Sequence, residues 1–212
     1  ASFLALPFVL AGCEGVDSPL APGGQNAASS GGPGDDGPPS GGGDASGAVV
    51  YVVHGINGTD LGEDEALPVD VAVNGSCVLE NVRFRDIAGP LEVPAGDYDL
   101  EVRFAADPAC SGDVAVSAED VPLADGDNVS VAAHLTPDDG AVLTPFANDV
   151  TAKPGRTRIS ARHAAAFGPV DVLVDDEVVR SGLANGEQVG AFLRPGRHHV
   201  ALTPEGSEDR VF

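Results

Sequence analysis

No methionine occurs in the 212 residues, and the apolar N-terminal run lacks the positively charged start of a signal peptide. Position 1 is therefore expected not to be the native start of the chain. Basic side chains are scarce: 11 Lys and Arg stand against 33 Asp and Glu, a formal net charge of −22. That balance argues against a nucleic-acid partner, because phosphates are repelled rather than neutralised. One lysine against ten arginines, with this much aspartate, fits a GC-rich genome or a salt-loving source. Catalytic signatures are missing too. There is no Gly-x-Ser-x-Gly elbow, no His-Glu-x-x-His and no phosphate-binding glycine loop, so the expectation is a non-enzyme without a cofactor.

What is present begins with the run Ser2 to Gly12, which carries no charge and is rich in Phe and Leu. It matches a signal-peptide hydrophobic region and falls short of the roughly 20 residues that span a bilayer. Leu10-Ala11-Gly12 before Cys13 reads as a lipobox, in which an apolar residue and two small ones precede an acylated cysteine. Residues 1–12 are thus expected to be a signal peptide and Cys13 the lipidation site. Residues 13–47, almost entirely Gly, Pro, Ser, Ala and Asp, have no apolar pattern to offset the entropy of ordering them. They read as a flexible tether with a mean reach of roughly 30 Å. A membrane partner reached through lipid at the cell envelope follows from this arrangement.

Three cysteines occur, Cys13, Cys77 and Cys110. Setting aside the lipidated one leaves a pair suited to a disulfide in an oxidising compartment, with two free buried thiols as the alternative. Neither Cys77 nor Cys110 has a second ligand at metal-binding spacing.

From Ala48 onward turn residues recur every 6 to 12 positions and no helix-period pattern appears. In YDLEVRF (98–104) apolar residues alternate with charged ones; VDVAV (69–73) and VSVAAHL (129–135) alternate similarly. Many short strands at this spacing predict an all-β chain of antiparallel β-sandwiches. An internal repeat is visible as well. VVYVVH ending at His54 matches TRISARH ending at His163, and PVDVAVNG (68–75) matches PVDVLVDD (169–176). VPAGDYDLEV (93–102) matches LRPGRHHVAL (193–202), aligning Gly96 with Gly196. The expectation is one module over 48–150 and a partial second copy over 151–212.

The stretch RISARHAAAFGPVDVLVDDEVVRSGLANGEQVGAFLRPGRHHVAL, with TPFANDVTAKPGRTRISARHA at the junction, resembles the bacterial and archaeal envelope family known as domain of unknown function 4397. The resemblance covers about 48 to 212. It implies tandem Ig-like or prealbumin-like sandwiches on lipoproteins or surface proteins, and it carries no catalytic residues. The acidic loop HGINGTDLGEDEALPVD departs from the family pattern, where the spacing from His to Val-Asp is short.

Several residues are candidates for chemistry. His54 and His163 end equivalent strands. They either bind a ligand near the loop rim, with Asp70 and Asp171, or hydrogen-bond a turn backbone and pin it. Asp70 and Asp171 either serve that rim or bond a neighbouring loop. Asp60, Glu63, Asp64 and Glu65 offer hard oxygens for calcium but lack the spacing of a known calcium loop, so a solvated acidic loop is the alternative. ADGDN (124–128) and PDDG (137–140) read as hairpin turns. His134 falls on the polar side of its strand, and His198 takes the place of Tyr98. Residues 48–150 carry a net −17 and residues 151–212 a net zero. Within the neutral part Arg158, Arg162, Arg194 and Arg197 either dock on the first module, meet an anionic polysaccharide, or lie in solvent.

The sequence therefore predicts a lipid-anchored envelope protein whose noncatalytic modules bind a polysaccharide or surface protein. The alternatives are a spacer carrying a further C-terminal domain and, third, an accessory to a calcium- or polysaccharide-dependent enzyme.

Overall fold

The computed structural model describes residues 47–138 and 140–211. Residues 1–46, with the expected signal peptide, the expected lipidation site Cys13 and most of the expected tether, lie outside the described residues. Those that are described fold almost wholly as strands, because valine-rich runs of five to ten residues alternate with Gly, Asn, Asp and Pro turns. Among them no helix is long and apolar enough to cross a membrane.

The first eight strands are β1 (Ala48–His54), β2 (Val69–Val73), β3 (Ser76–Val82), β4 (Ile87–Val93), β5 (Gly96–Phe104), β6 (Val114–Leu123), β7 (Asn128–Leu135) and β8 (Ala141–Ala147). They form two four-stranded sheets, ordered β4-β1-β7-β8 and β3-β2-β5-β6. Pairing is antiparallel except between β1 and β7, which run parallel from Val49 opposite Asn128 to His54 opposite Ala133. The sheets face each other across Val50, Val129 and Val131 on one side and Val69, Val71 and Val102 on the other, with Leu143 packed against both groups. An apolar void of about 50 Å³ remains between them. It is about a third of the volume that holds benzene in an engineered cavity, and it exists because short valines fill most of the layer.

Five further strands follow: β9 (Thr157–Arg162), β10 (Val170–Val174), β11 (Glu177–Leu183), β12 (Gln188–Leu193) and β13 (Val200–Pro204). They make a two-stranded sheet, β12-β9, and a three-stranded sheet, β11-β10-β13. Val170, Val172 and Leu183 form their core, packed by Ala161, Phe167, Val189 and Leu202. Burial of each such core side chain stabilises by about 1.5–3 kcal/mol relative to exposure. The pairings β4-β1 and β3-β2-β5 of the first part thus recur as β12-β9 and β11-β10-β13. All the described residues fall in one compact unit.

Two strands depart from the alternation expected of them. Residues 129–135 of β7 are buried at every position, and 69–72 of β2 likewise. Both are central strands of their sheets, and their side chains are buried on both faces. His134, expected on a polar face, is 1 % exposed.

Candidate functional site

Asp70 sits in the middle of β2 and is 1 % exposed. Its carboxylate accepts hydrogen bonds from the backbone N–H groups of Asn81 (2.9 Å) and Cys110 (2.8 Å), with Ala106 N–H at 3.4 Å. It thereby ties an irregular point of β3, where Asn81 has φ 54°, to the loop after β5. Burial alone pushes this carboxyl up; the donors from Cys110, Asn81 and Ala106 outweigh it and hold the pKa below the ordinary carboxylate value. Cys77 and Cys110 form a disulfide beside this clamp, with Cα atoms 5.8 Å apart. The loop between β5 and β6 is therefore fixed by a covalent bond and a buried carboxylate.

The same arrangement recurs at Asp171. Its carboxylate accepts from Ser181 Oγ (2.7 Å), Gly182 N–H (2.9 Å) and Gly206 N–H (3.1 Å). The Ser181 hydroxyl, then the Gly182 and Gly206 amides, hold its pKa low. Gly182 has φ 62°, the conformation Asn81 adopts in β3. Asn there and Gly here are the residue types that tolerate it.

The histidines follow the same logic. His54 is buried, and its Nε2–H donates to Leu67 O (2.8 Å), which leaves Nδ1 to accept from Ile56 N–H at 3.3 Å. His163 Nε2–H donates to Gly168 O at 2.9 Å. Each imidazole pins the carbonyl just ahead of a proline that leads into the next strand. Burial lowers the His54 pKa, against the raising effects of the Leu67 carbonyl and the Asp86 charge. Neither ring bonds Asp70 or Asp171; the four residues serve contacts inside their own parts of the fold, all to backbone except that from the Ser181 hydroxyl to Asp171.

Tyr98 and His198 are also equivalent. Tyr98 Oη–H donates to Pro94 O (2.7 Å), and His198 Nε2–H donates to Arg194 O (2.7 Å). His198 Nδ1 lies 2.7 Å from Asp175. The Arg194 carbonyl and the Asp175 carboxylate raise the His198 pKa. Gly96 opens β5 and Gly196 lies in the turn before β13, and neither is pressed by a neighbour closer than 3.9 Å.

The acidic residues weighed for calcium against a solvated loop are not gathered. Among the described residues no three His, Cys, Asp or Glu side chains come together in a metal-binding group. Asp60, Glu63, Asp64 and Glu65 are all exposed, on and after a short 3-10 helix (Gly58–Leu61). Asn57 caps that helix by accepting from Thr59 N–H at 3.0 Å. Gly58 is required there, since a Cβ would lie 1.8 Å from Asp64 O. The loop is shaped by capping and close backbone approach, so its carboxylates spread outward.

One polar cluster was not legible in the sequence. At the joint between the two sets of strands, His134 Nδ1–H donates to Leu135 O (3.2 Å) and Nε2 accepts from Thr144 Oγ–H (2.8 Å). Asn185 Nδ2 donates to Leu135 O (3.0 Å) and to Ala165 O (2.6 Å). Gln188 Nε2 donates to Ala147 O at 2.9 Å. Burial depresses the His134 pKa against the raising effect of the Leu135 carbonyl, and the nearby His163 adds to the depression. Of the four arginines weighed for docking, two are used here. Arg158 pairs with Asp149 at 2.7 Å, and Arg162 bonds Asn148 and covers the Phe146 ring, 5.1 Å from its centre. Arg194 and Arg197 are exposed. Asn, Gln and Thr in isolation carry no periodic signal, which is why this joint had none to offer.

The family model described as Domain of unknown function (DUF4397) matches residues 48–173, more than half of the chain. No curated protein matches it.

Proposed function

The chain belongs to the DUF4397 family, and from that premise we propose that it is a noncatalytic cell-envelope protein, held by lipid on Cys13, that displays β-sandwich modules for binding at the surface. In this reading residues 151–212 are a second, partial copy of the module that begins at residue 48. One observation carries it: His54, His163 and Asp70 bond backbone groups within their own part of the fold, and Asp171 bonds two backbone amides and the Ser181 hydroxyl within its own. Residues bound in this way support a scaffold, and they leave binding to the loops and sheet surfaces. A net −17 over residues 48–150 keeps that scaffold off anionic lipid and nucleic acid. Partners of this class are an envelope polysaccharide or a surface protein.

A spacer is the second reading, favoured by the joint. Arg158 with Asp149, Arg162 with Asn148 and Gln188 with Ala147 O resist bending between modules.

Thermal unfolding of the full chain with calcium, with chelator, and with a panel of envelope and matrix polysaccharides separates the two. A ligand at a hundred times its Kd adds about 2.7 kcal/mol, so a binder shows a raised midpoint with one of the polymers. A flat panel overturns polysaccharide binding and leaves the spacer. Incorporation of labelled fatty acid, lost in Cys13→Ser, tests the anchor.

A further inference from the structure

The outer face of β9 and β12 holds a concentration of positive charge that the rest of this acidic chain does not share. Ala161 and Val189 pair across these strands and pack into the core. Arg158 and Phe192 also pair, and by alternation they lie on the opposite, outer face. Arg156 and Arg194 stand one position beyond the last paired residues, Thr157 and Leu193. Lys153 and Arg197 lie in the turns that lead into β9 and out of β12; the first of these is closed by Arg156 N–H donating to Lys153 O at 3.1 Å. The Phe192 ring centre is 4.2 Å from Lys153 Nζ and 5.0 Å from Arg158 Cζ. Gly190 makes room for the Arg158 guanidinium, since a Cβ there would come within 2.6 Å of Nη2.

Asp149, 2.7 Å from Arg158, is the carboxylate that pairs into this group. Among the described residues no salt bridge reaches Lys153, Arg156, Arg194 or Arg197, and all four are exposed. Like charges set side by side repel, and a chain with 33 acidic residues has left these cations together without neutralising them. The matching positions of the first part are Glu92, Pro94 and Asp97, where this part has Phe192, Arg194 and Arg197. Those three are exposed although the first part has its full set of strands, so exposure belongs to these positions of the module. The sign of the charge is what differs.

We infer that this face is a binding site for an acidic polysaccharide, a sugar polymer carrying carboxylate or sulfate groups. The inference rests on the display reading and gives it a place and a charge. Guanidinium groups offer paired N–H donors that match carboxylate and sulfate oxygens. The half-buried Phe192 ring offers an apolar surface for the C–H face of a sugar between them. Several cations along one face meet several anions along one polymer, so contacts that are weak singly add up. The net −17 of residues 48–150 is screened over about 8 Å at physiological ionic strength, so the charges at the face itself decide the contact.

Three probes of equal length are titrated into the full chain by calorimetry: an oligogalacturonate, a dextran sulfate oligomer and a neutral maltooligosaccharide. At least one anionic probe binds saturably, added salt weakens it, and the neutral probe does not bind; which of the two binds identifies the anion. The double variant Arg194→Gln/Arg197→Gln keeps the melting midpoint and weakens that binding by about tenfold or more. Arg180→Gln/Arg210→Gln removes the same charge from exposed arginines elsewhere and binds as the parent does. Failure of both anionic probes, equal binding of the neutral one, an unaffected Arg194/Arg197 variant, or an equal loss in the Arg180/Arg210 variant overturns the site. Tighter binding of single-stranded DNA of equal charge, or a salt-sensitive dimer of the chain that the Arg194/Arg197 variant abolishes, overturns the polysaccharide as its occupant. A neutral polysaccharide that raises the midpoint while both anionic probes fail leaves the display reading standing and removes this site alone.

Discussion

Replacing Asp70 with alanine tests the reasoning most directly. The carboxylate holds two well-formed backbone N–H donors, Asn81 at 2.9 Å and Cys110 at 2.8 Å, while the 3.4 Å contact to Ala106 adds little. Hydrogen bonds to a charged group contribute about 1.5–3 kcal/mol each. Water enters the truncated site and solvates part of what is left, so the low end applies and the expected loss is about 3 kcal/mol. That is a large share of the 5–15 kcal/mol typical of a folded domain. For a unit of this size it lowers the melting midpoint by about 6–12 °C. The folded pKa of Asp70 is depressed, so its contribution is fully present above the unfolded carboxylate value of about 3.9. It is lost as pH falls through the folded value. Urea unfolding of parent and Asp70→Ala with the disulfide intact, at pH 7 and stepwise to pH 2, measures both effects. The gap between them holds constant at neutral pH and narrows only below about pH 4. A loss under about 1 kcal/mol at pH 7, or a gap that does not narrow in acid, refutes the clamp. Asp97→Ala, at an exposed position, serves as the control and is expected to stay within about 0.5 kcal/mol of the parent.

Three further outcomes are expected. Breaking the Cys77–Cys110 bond as the double serine variant removes a 33-residue link and costs about 3–4 kcal/mol in the chain-entropy model, read as a shift in the urea midpoint. The His54 and His134 imidazoles are held neutral, with pKa values below the ordinary 6.5; the unfolded chain takes up protons first, so stability falls as pH drops below about 6.5. His134→Gln reduces that slope in a pH series of melting midpoints, and an unchanged slope contradicts the buried neutral assignment. Calcium and chelator leave the midpoint equal within error, because Asp60, Glu63, Asp64 and Glu65 point outward from their loop; a calcium-dependent rise lost in Asp64→Ala contradicts this.

Local chemistry was enough to read much of the fold. Alternation in 98–104 and the Gly, Asn and Asp turns give strands, since a pleated backbone sends successive side chains to opposite faces. The His and Val-Asp-Val signals picked out His54 with His163 and Asp70 with Asp171, residues that make similar contacts, and two spare cysteines gave the disulfide now seen between β3 and the β5–β6 loop. The alternative of backbone pinning, weighed for His54 and His163, is the geometry found.

Tertiary structure decided the rest. A strand's own pattern reports one covered face, and nothing within VSVAAHL says that a second layer will cover the other. The joint does so through Asn185, which reaches the carbonyl of Leu135 fifty positions earlier. His134 is polar in the sequence and buried in the fold for the same reason: its partners, Thr144 and the strands that cover it, arrive only when β7 pairs with β8 and the later strands pack on them. Whether Asp60 to Glu65 form a metal site depended on where a capped turn aims them, which spacing does not encode. The residues of this chain set which segments are strands and which polar groups need partners. Packing at long sequence separation chose those partners, because burial and hydrogen bonding depend on the neighbour that arrives.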